Sequence, residues 1–226
     1  KEYHCRNCGA NIIPDRDTTA TRCSFCDAPV VLLDRLTGKL APSRVIPFSV
    51  SKERAIKAFK KWCKNGLLSP KGFMTADRIQ NITGMYVPFW LYDLGNEVEI
   101  EALCTRVNSY TRGDYIYTET KYYAVYRRLN IDYIKVPVDA SEKMDDGLMD
   151  KLEPYDYGGI KDFNTPYLAG FIAEKYNYTD KELLPRARRK IENYIDYFIS
   201  STISGYSTVQ YRRKDINTRK KNAYYT

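Results

Sequence analysis

Cys5-Arg6-Asn7-Cys8-Gly9 and Cys23-Ser24-Phe25-Cys26-Asp27 are two C-x-x-C units with fourteen residues between them. Two residues between paired cysteines let both sulfurs of a tight turn face one metal ion. A small residue after the pair lets the chain curl back, so that backbone N–H groups reach the thiolates. Gly9 takes that place in the first unit. Asp27 takes it in the second, where a left-handed backbone is tolerated at some cost. Segments 10–15, 18–22 and 28–33 suit three short strands, with a turn at Asp15–Asp17 between the first two. The whole reads as a zinc ribbon over residues 1–34, with Cys5, Cys8, Cys23 and Cys26 holding Zn2+. Four protein ligands leave no open coordination position, so the metal is expected to stabilise rather than catalyse. In so small a unit metal binding is most of the folding free energy, on the order of 10–16 kcal/mol in peptide systems. His4, beside Cys5, is the competing ligand, and a pair of disulfides is the competing chemistry. Cys63 and Cys104 stand singly in apolar surroundings, which speaks against a secreted disulfide module.

Working outward, the 226 residues leave room for one larger domain of about 180 residues with its own core. At 43% hydrophobic and 28% charged, the composition is that of a soluble globular protein. No run approaches the roughly 18 apolar residues of a membrane span, and no signal peptide is read. Reduced cysteines and a zinc site point to the cytoplasm, with a membrane tether beyond Thr226 left open. The net charge of +8 is unevenly placed. Residues 1–30 are balanced, whereas 186–226 carry ten Lys/Arg against Glu192, Asp196 and Asp215. A ribbon that grips phosphates usually carries its own basic residues, and this one does not.

Gly38 and Pro42 punctuate a linker over 35–44, and 45–226 reads as an α+β domain. A strand over 45–50 precedes Ser51, a good N-cap, and a helix with Ala55, Ile56, Phe59, Trp62 and Cys63 on one face. A short helix is expected near 75–81. Residues 85–92 suit a strand in which Pro88 implies an edge or a bulge. Val98, Ile100, Ala102 and Cys104 then alternate with Glu97, Glu99 and Glu101, the signature of a half-buried antiparallel strand. A hairpin connection around Gly113 and two further strands, 115–128 and 129–138, complete a meander. Ser141 is expected to cap a helix over 143–152, with Asp145 and Asp146 in its first turn answering the helix dipole. Ala187, Ile191, Tyr194, Ile195, Phe198, Ile199 and Ile203 form a 3.6-residue stripe. They predict a long amphipathic helix over 184–203 covering the antiparallel sheet, with Pro185 in its first turn. Late strands are read at 206–213 and 222–225.

Together with the ribbon, several stretches resemble a known family: Val87-Pro88-Phe89-Trp90-Leu91, Arg112-Gly113-Asp114-Tyr115, Thr118-Glu119-Thr120-Lys121-Tyr122-Tyr123, Val136-Pro137-Val138-Asp139, Met144-Asp145-Asp146 and Tyr167-Leu168-Ala169-Gly170-Phe171. The chain is similar, over essentially its whole length, to bacterial zinc-ribbon proteins of unassigned function that often carry the label of primosomal (replication-restart) DNA helicase. The resemblance implies a zinc site at the four cysteines and a chain continuing past this end. It implies no catalytic residue. The helicase label itself finds no support in the residues, because a motor needs a G-x-x-x-x-G-K-[ST] loop and acidic metal motifs, and neither is present.

Three function classes remain. A non-enzymatic adaptor binding another protein suits a closed metal site and abundant tyrosine. Nucleic-acid binding would use the C-terminal basic residues Arg186, Arg188, Arg189, Lys190, Arg212, Arg213 and Lys214, with tyrosines for stacking. The same face could meet an anionic membrane surface, or be the solvated side of an amphipathic helix. An enzyme is disfavoured, since the single histidine, His4, adjoins a zinc ligand and leaves no Ser-His or Cys-His pair. No small-molecule substrate is evident.

Overall fold

The computed structural model describes residues 2–65 and 82–226, and the helix expected near 75–81 lies outside them. The fold is mixed α+β with antiparallel sheets, as the hydrophobic patterns predict. In chain order the elements are β1 (Tyr3–His4), β2 (Asn11–Ile12), β3 (Thr18–Arg22), β4 (Pro29–Val31), β5 (Arg44–Val45), α1 (Lys52–Asn65) and β6 (Met85–Tyr86). There follow β7 (Phe89–Arg112), β8 (Tyr115–Asp139), α2 (Asp146–Leu152), β9 (Lys161–Asp162), β10 (Ile172–Glu174), α3 (Asp180–Thr202) and β11 (Thr208–Tyr225). The chain forms two compact units. One takes the N-terminal part to Phe89 with Asp139–Thr179 and Tyr224–Thr226, and the other takes Trp90–Val138 with Asp180–Ala223. These units interleave in sequence, whereas the sequence pattern suggested consecutive pieces at 1–34, 35–44 and 45–226.

The first unit is built from short strands. β1 pairs with β2, and β3 pairs with β4, so the expected partnership of 10–15 with 18–22 is replaced by two separate hairpins. β3 has a second neighbour, β10, from far along the chain, and β10 in turn pairs in parallel with β6. The cysteine-bearing hairpin thus shares a sheet with residues 172–174. Ala20, Leu36, Leu168 and Ala173 form a small core there, so part of the segment read as linker is packed. Of the strand expected over 45–50 only Val45 belongs to one, in β5. Phe48 instead stacks on Phe171, rings 4.7 Å apart, with Tyr86 edge-on to both. In α1 the N–H of Arg54 reaches Ser51 Oγ at 3.4 Å, which makes Ser51 the cap as expected. Cys63 is buried, but Trp62 is 67% exposed, its ring beside Phe59 rather than under the helix. The later helix starts at Asp146. Asp145 caps it by accepting from the Leu148 N–H at 2.7 Å, while Ser141 is buried and donates its own N–H to Asp139.

The second unit is one three-stranded sheet, in the order β11-β7-β8, under one helix. β7 and β8 run 24 and 25 residues, joined by a tight turn in which Gly113 takes φ +65°. Tyr92, Leu94, Val98, Ile100, Ala102 and Cys104 on β7 are buried against Ala187, Ile191, Ile195 and Ile199 of α3. Tyr194 and Phe198 are exposed, so the buried stripe is narrower than predicted and keeps a four-residue spacing. α3 also begins earlier, at Asp180, leaving Pro185 beyond its first turn. The two strands expected over 115–138 are one. Lys135 sits in a left-handed conformation at φ +56°, its N–H donating to Asp93 Oδ1. It acts as a bulge that changes which residues face the core: Ile131 and Tyr133 before it, Val136 and Val138 after it. No helix among the described residues is long and apolar enough to cross a membrane.

Candidate metal centre

Both cysteine units fold alike. In the first, Cys5 N–H donates to Ala10 O and Gly9 N–H donates back to Cys5 O, each at 2.8 Å. In the second, Cys23 N–H donates to Ala28 O and Asp27 N–H to Cys23 O, each at 2.9 Å. Gly9 at φ +74° and Asp27 at φ +56° make the left-handed turns, so the aspartate adopts the conformation its position demands. The turns bring Cys5, Cys8, Cys23 and Cys26 together, all four sulfurs within 4.8 Å of one another. Cys5 lies 3.7 Å from Cys26, and Cys8 lies 3.7 Å from Cys23. Metal–sulfur bonds of about 2.3 Å in a tetrahedron require sulfurs about 3.8 Å apart, so the donor set fits one four-coordinate ion. His4 is exposed and is not part of the group.

The thiols are electrostatically unequal. The Asn7 side-chain amide, then the Ala28 N–H, draw Cys26 down to about 6. The N–H groups of Cys8 and Asn7 lower Cys5. For Cys8 the Ala10 N–H pulls downward, but Cys26, burial and the remaining thiols outweigh it and push the group up to about 12. Four thiolates at this spacing repel one another, and a central divalent cation is what allows all of them to ionise. Among the described residues no other set of three or more His, Cys, Asp or Glu side chains could hold a metal ion. Asp145, Asp146 and Asp150 form no such set.

Three cations hold the centre's surroundings in place. Arg22, next to Cys23, pairs with Asp27 at 2.7 Å and donates from Nε and Nη2 to Gly170 O at 3.3 and 3.1 Å. The family-like stretch Tyr167–Phe171 is therefore a socket for the second knuckle. Arg35 Nη1 donates to the carbonyls of Asp15, Arg16 and Thr18, and its Nε donates to Tyr3 Oη. Lys143 pairs with Asp15 and, at 2.9 Å, with Glu174. These roles were missed in the sequence because each arginine or lysine meets partners distant in the chain.

The predicted basic contact residues lie on α3 and β11, where several have protein partners. Arg213 pairs with Asp215 at 2.6 Å and approaches Glu101 and Glu99, and Lys214 pairs with Asp196. Arg188 donates to Thr218 O and Lys190 to Pro137 O. Arg186 is also engaged. Arg189 and Arg212 are exposed on the same two elements. The neighbouring Arg219, Lys220 and Lys221 pair with Glu97, Asp180 and Asp132. Much of the C-terminal positive charge thus answers the Glu97-Glu99-Glu101 row and other carboxylates of the same unit.

No protein-family model matches the chain. No solved structure matches it. The chain is similar to YdjG of Bacillus subtilis, an uncharacterised bacterial protein, with 62% identity over 195 residues, 86% of this chain. It spans 57% of that relative's length. The relative's name assigns no activity, and the replication-restart association is not shown by it.

Proposed function

We propose that Cys5, Cys8, Cys23 and Cys26 hold one structural Zn2+, and that the chain is a non-enzymatic adaptor that binds another protein. The zinc reading follows from four thiolate donors at tetrahedral spacing, with no fifth His, Cys, Asp or Glu donor in the group among the described residues. Bound there, the ion cross-links the two knuckles. The adaptor reading is carried by the hairpin of the second unit. β11 meets β7 at Thr105, where the Thr105 and Thr208 hydroxyls are 2.5 Å apart. Residues 106–122 continue past that point with every side chain exposed. Tyr110 stacks on Tyr117, rings 5.5 Å apart, while Tyr115, Ile116 and Tyr122 face solvent. A two-stranded arm is marginal in water by itself, and its aromatics and free strand edge are features of protein interfaces.

The test is capture of partners from a bacterial extract by the intact chain and by a Tyr115→Ser/Ile116→Ser variant. A partner held by the first and lost by the second supports the adaptor. Nothing above background with the intact chain counts against it. The nucleic-acid and membrane-surface alternatives are weaker, because Arg213 and Lys214 are already paired with carboxylates. A salt-series titration with labelled DNA and RNA is expected to give no tight binding, and a steep salt slope would favour the nucleic-acid alternative instead.

A further inference from the structure

Asn7 stands between the two ligands of the first knuckle, yet its side chain serves the second. Its Nδ2 lies 3.5 Å from Cys26 Sγ, and Cys26 Sγ lies 3.7 Å from Cys5 Sγ. The amide nitrogen can only donate and a thiolate can only accept, so the contact has one direction. We propose that Asn7 is a positioning residue of the metal centre, its side-chain amide donating to the Cys26 thiolate of the other knuckle and setting how tightly the ion is held. The inference rests on the four-cysteine zinc reading. Four thiolates on one divalent ion leave a net negative centre, and an N–H donor spreads that charge while holding the sulfur in place. Cys26 is only partly buried and Cys8 is exposed, although Cys26 packs against the cluster of Cys5, Ile12 and Cys23. Asn7 therefore adds a directional contact to that apolar packing.

The experiment uses the whole chain, loaded with Zn2+ and titrated with a competing chelator, and a parallel Co2+ form read by its thiolate-to-metal absorption. Asn7→Asp keeps the size and the acceptor oxygen but replaces the donor with a carboxylate, and Asn7→Ala removes both. The expected result is weaker Zn2+ binding by about 10-fold in Asn7→Ala and up to about 100-fold in Asn7→Asp. The Co2+ absorption shifts to lower energy in both, because a thiolate without its donor gives up charge more readily. A side chain that merely shaped the turn as an acceptor would leave Asn7→Asp unaffected. Both variants binding Zn2+ as tightly as the parent, with the absorption unmoved, would overturn the proposal. If the parent chain took up neither ion with thiolate absorption, the zinc reading itself would fail, which is a separate and recognisable outcome.

Discussion

The cysteine-bearing unit and the hairpin unit solve the same problem with different means. In the first, among the described residues, strands are two to five residues long and one small apolar cluster outside the knuckles is Ala20, Leu36, Leu168 and Ala173. In the second, strands of 24, 25 and 18 residues supply, over part of their length, a largely apolar surface packed against a 23-residue helix. Small cores bury too little to offset chain entropy, so polar staples, joined under the proposed zinc reading by a metal, take over what hydrophobic burial does elsewhere. Arg22, Arg35 and Lys143 are those staples, reaching carbonyls and carboxylates up to 148 positions away. The hairpin unit carries comparable contacts, such as Lys190 on Pro137 O and Lys221 on Asp132, but adds them to a continuous core of fourteen buried residues.

Metal removal is the strongest way to separate the two. Chelation, or Cys5→Ser with Cys23→Ser, should remove a binding free energy on the order of 10–16 kcal/mol from the first unit only. Amide hydrogen exchange would then lose protection over 3–35 while residues 92–104 and 187–199 keep theirs. Simultaneous loss in both would break the contrast. Ile195→Ala probes the opposite side: Ile195 is 1% exposed in the main core. A cost of about 2–5 kcal/mol in urea melts is expected, with metal affinity unchanged.

Gly95→Ala is gentler. A Cβ there would come within 2.5 Å of Lys221 Cε, which crosses β7 to reach Asp132 on β8. The lysine end can swing away, so the loss is that of an exposed ion pair, about 0.2–1 kcal/mol. Lys221→Met should abolish the effect of Gly95→Ala, and a penalty that persists would place the strain in the backbone instead. The smallest effect concerns pH. Hydrogen bonds to Asp15 first, and to Glu174, hold Lys143 above its ordinary 10.5. A group raised in the folded state stabilises fully below its unfolded value and loses that contribution as pH climbs through the folded one. The stability gap between the parent and Lys143→Met should therefore be constant from neutral pH up to about pH 10.5 and shrink above it, and it should shrink again in acid as Asp15 is protonated.

Legibility in the sequence followed distance along the chain. The knuckles, the left-handed Asp27, the Ser51 cap, the alternation over 98–104 and the spacing from Ala187 to Ile199 all depend on residues within a turn or two of each other. Read from sequence, β8 divides between Arg128 and Leu129, where the strand in fact runs on; the in–out pattern reverses only later, at Lys135 with φ +56°. Trp62 and Tyr194 were assigned to buried faces by periodicity alone, which counts angles around a helix but not what lies opposite. The basic C-terminal run looked like a surface for anions because Glu97, Glu99 and Glu101, a hundred residues earlier, are its strand neighbours.

By itself the sequence determined the four-thiolate donor set, the mixed α+β class and the amphipathic helix with its alternating strand, since spacing and hydrophobic period act locally. Only the tertiary structure decided that β10 completes the sheet of β3, that Arg22 is anchored on Gly170, that Asn7 reaches the opposite knuckle, and where the C-terminal charges find partners. Those pairings join segments whose separation carries no periodic signal. They exist because folding brings unsatisfied donors, acceptors and charges within bonding distance.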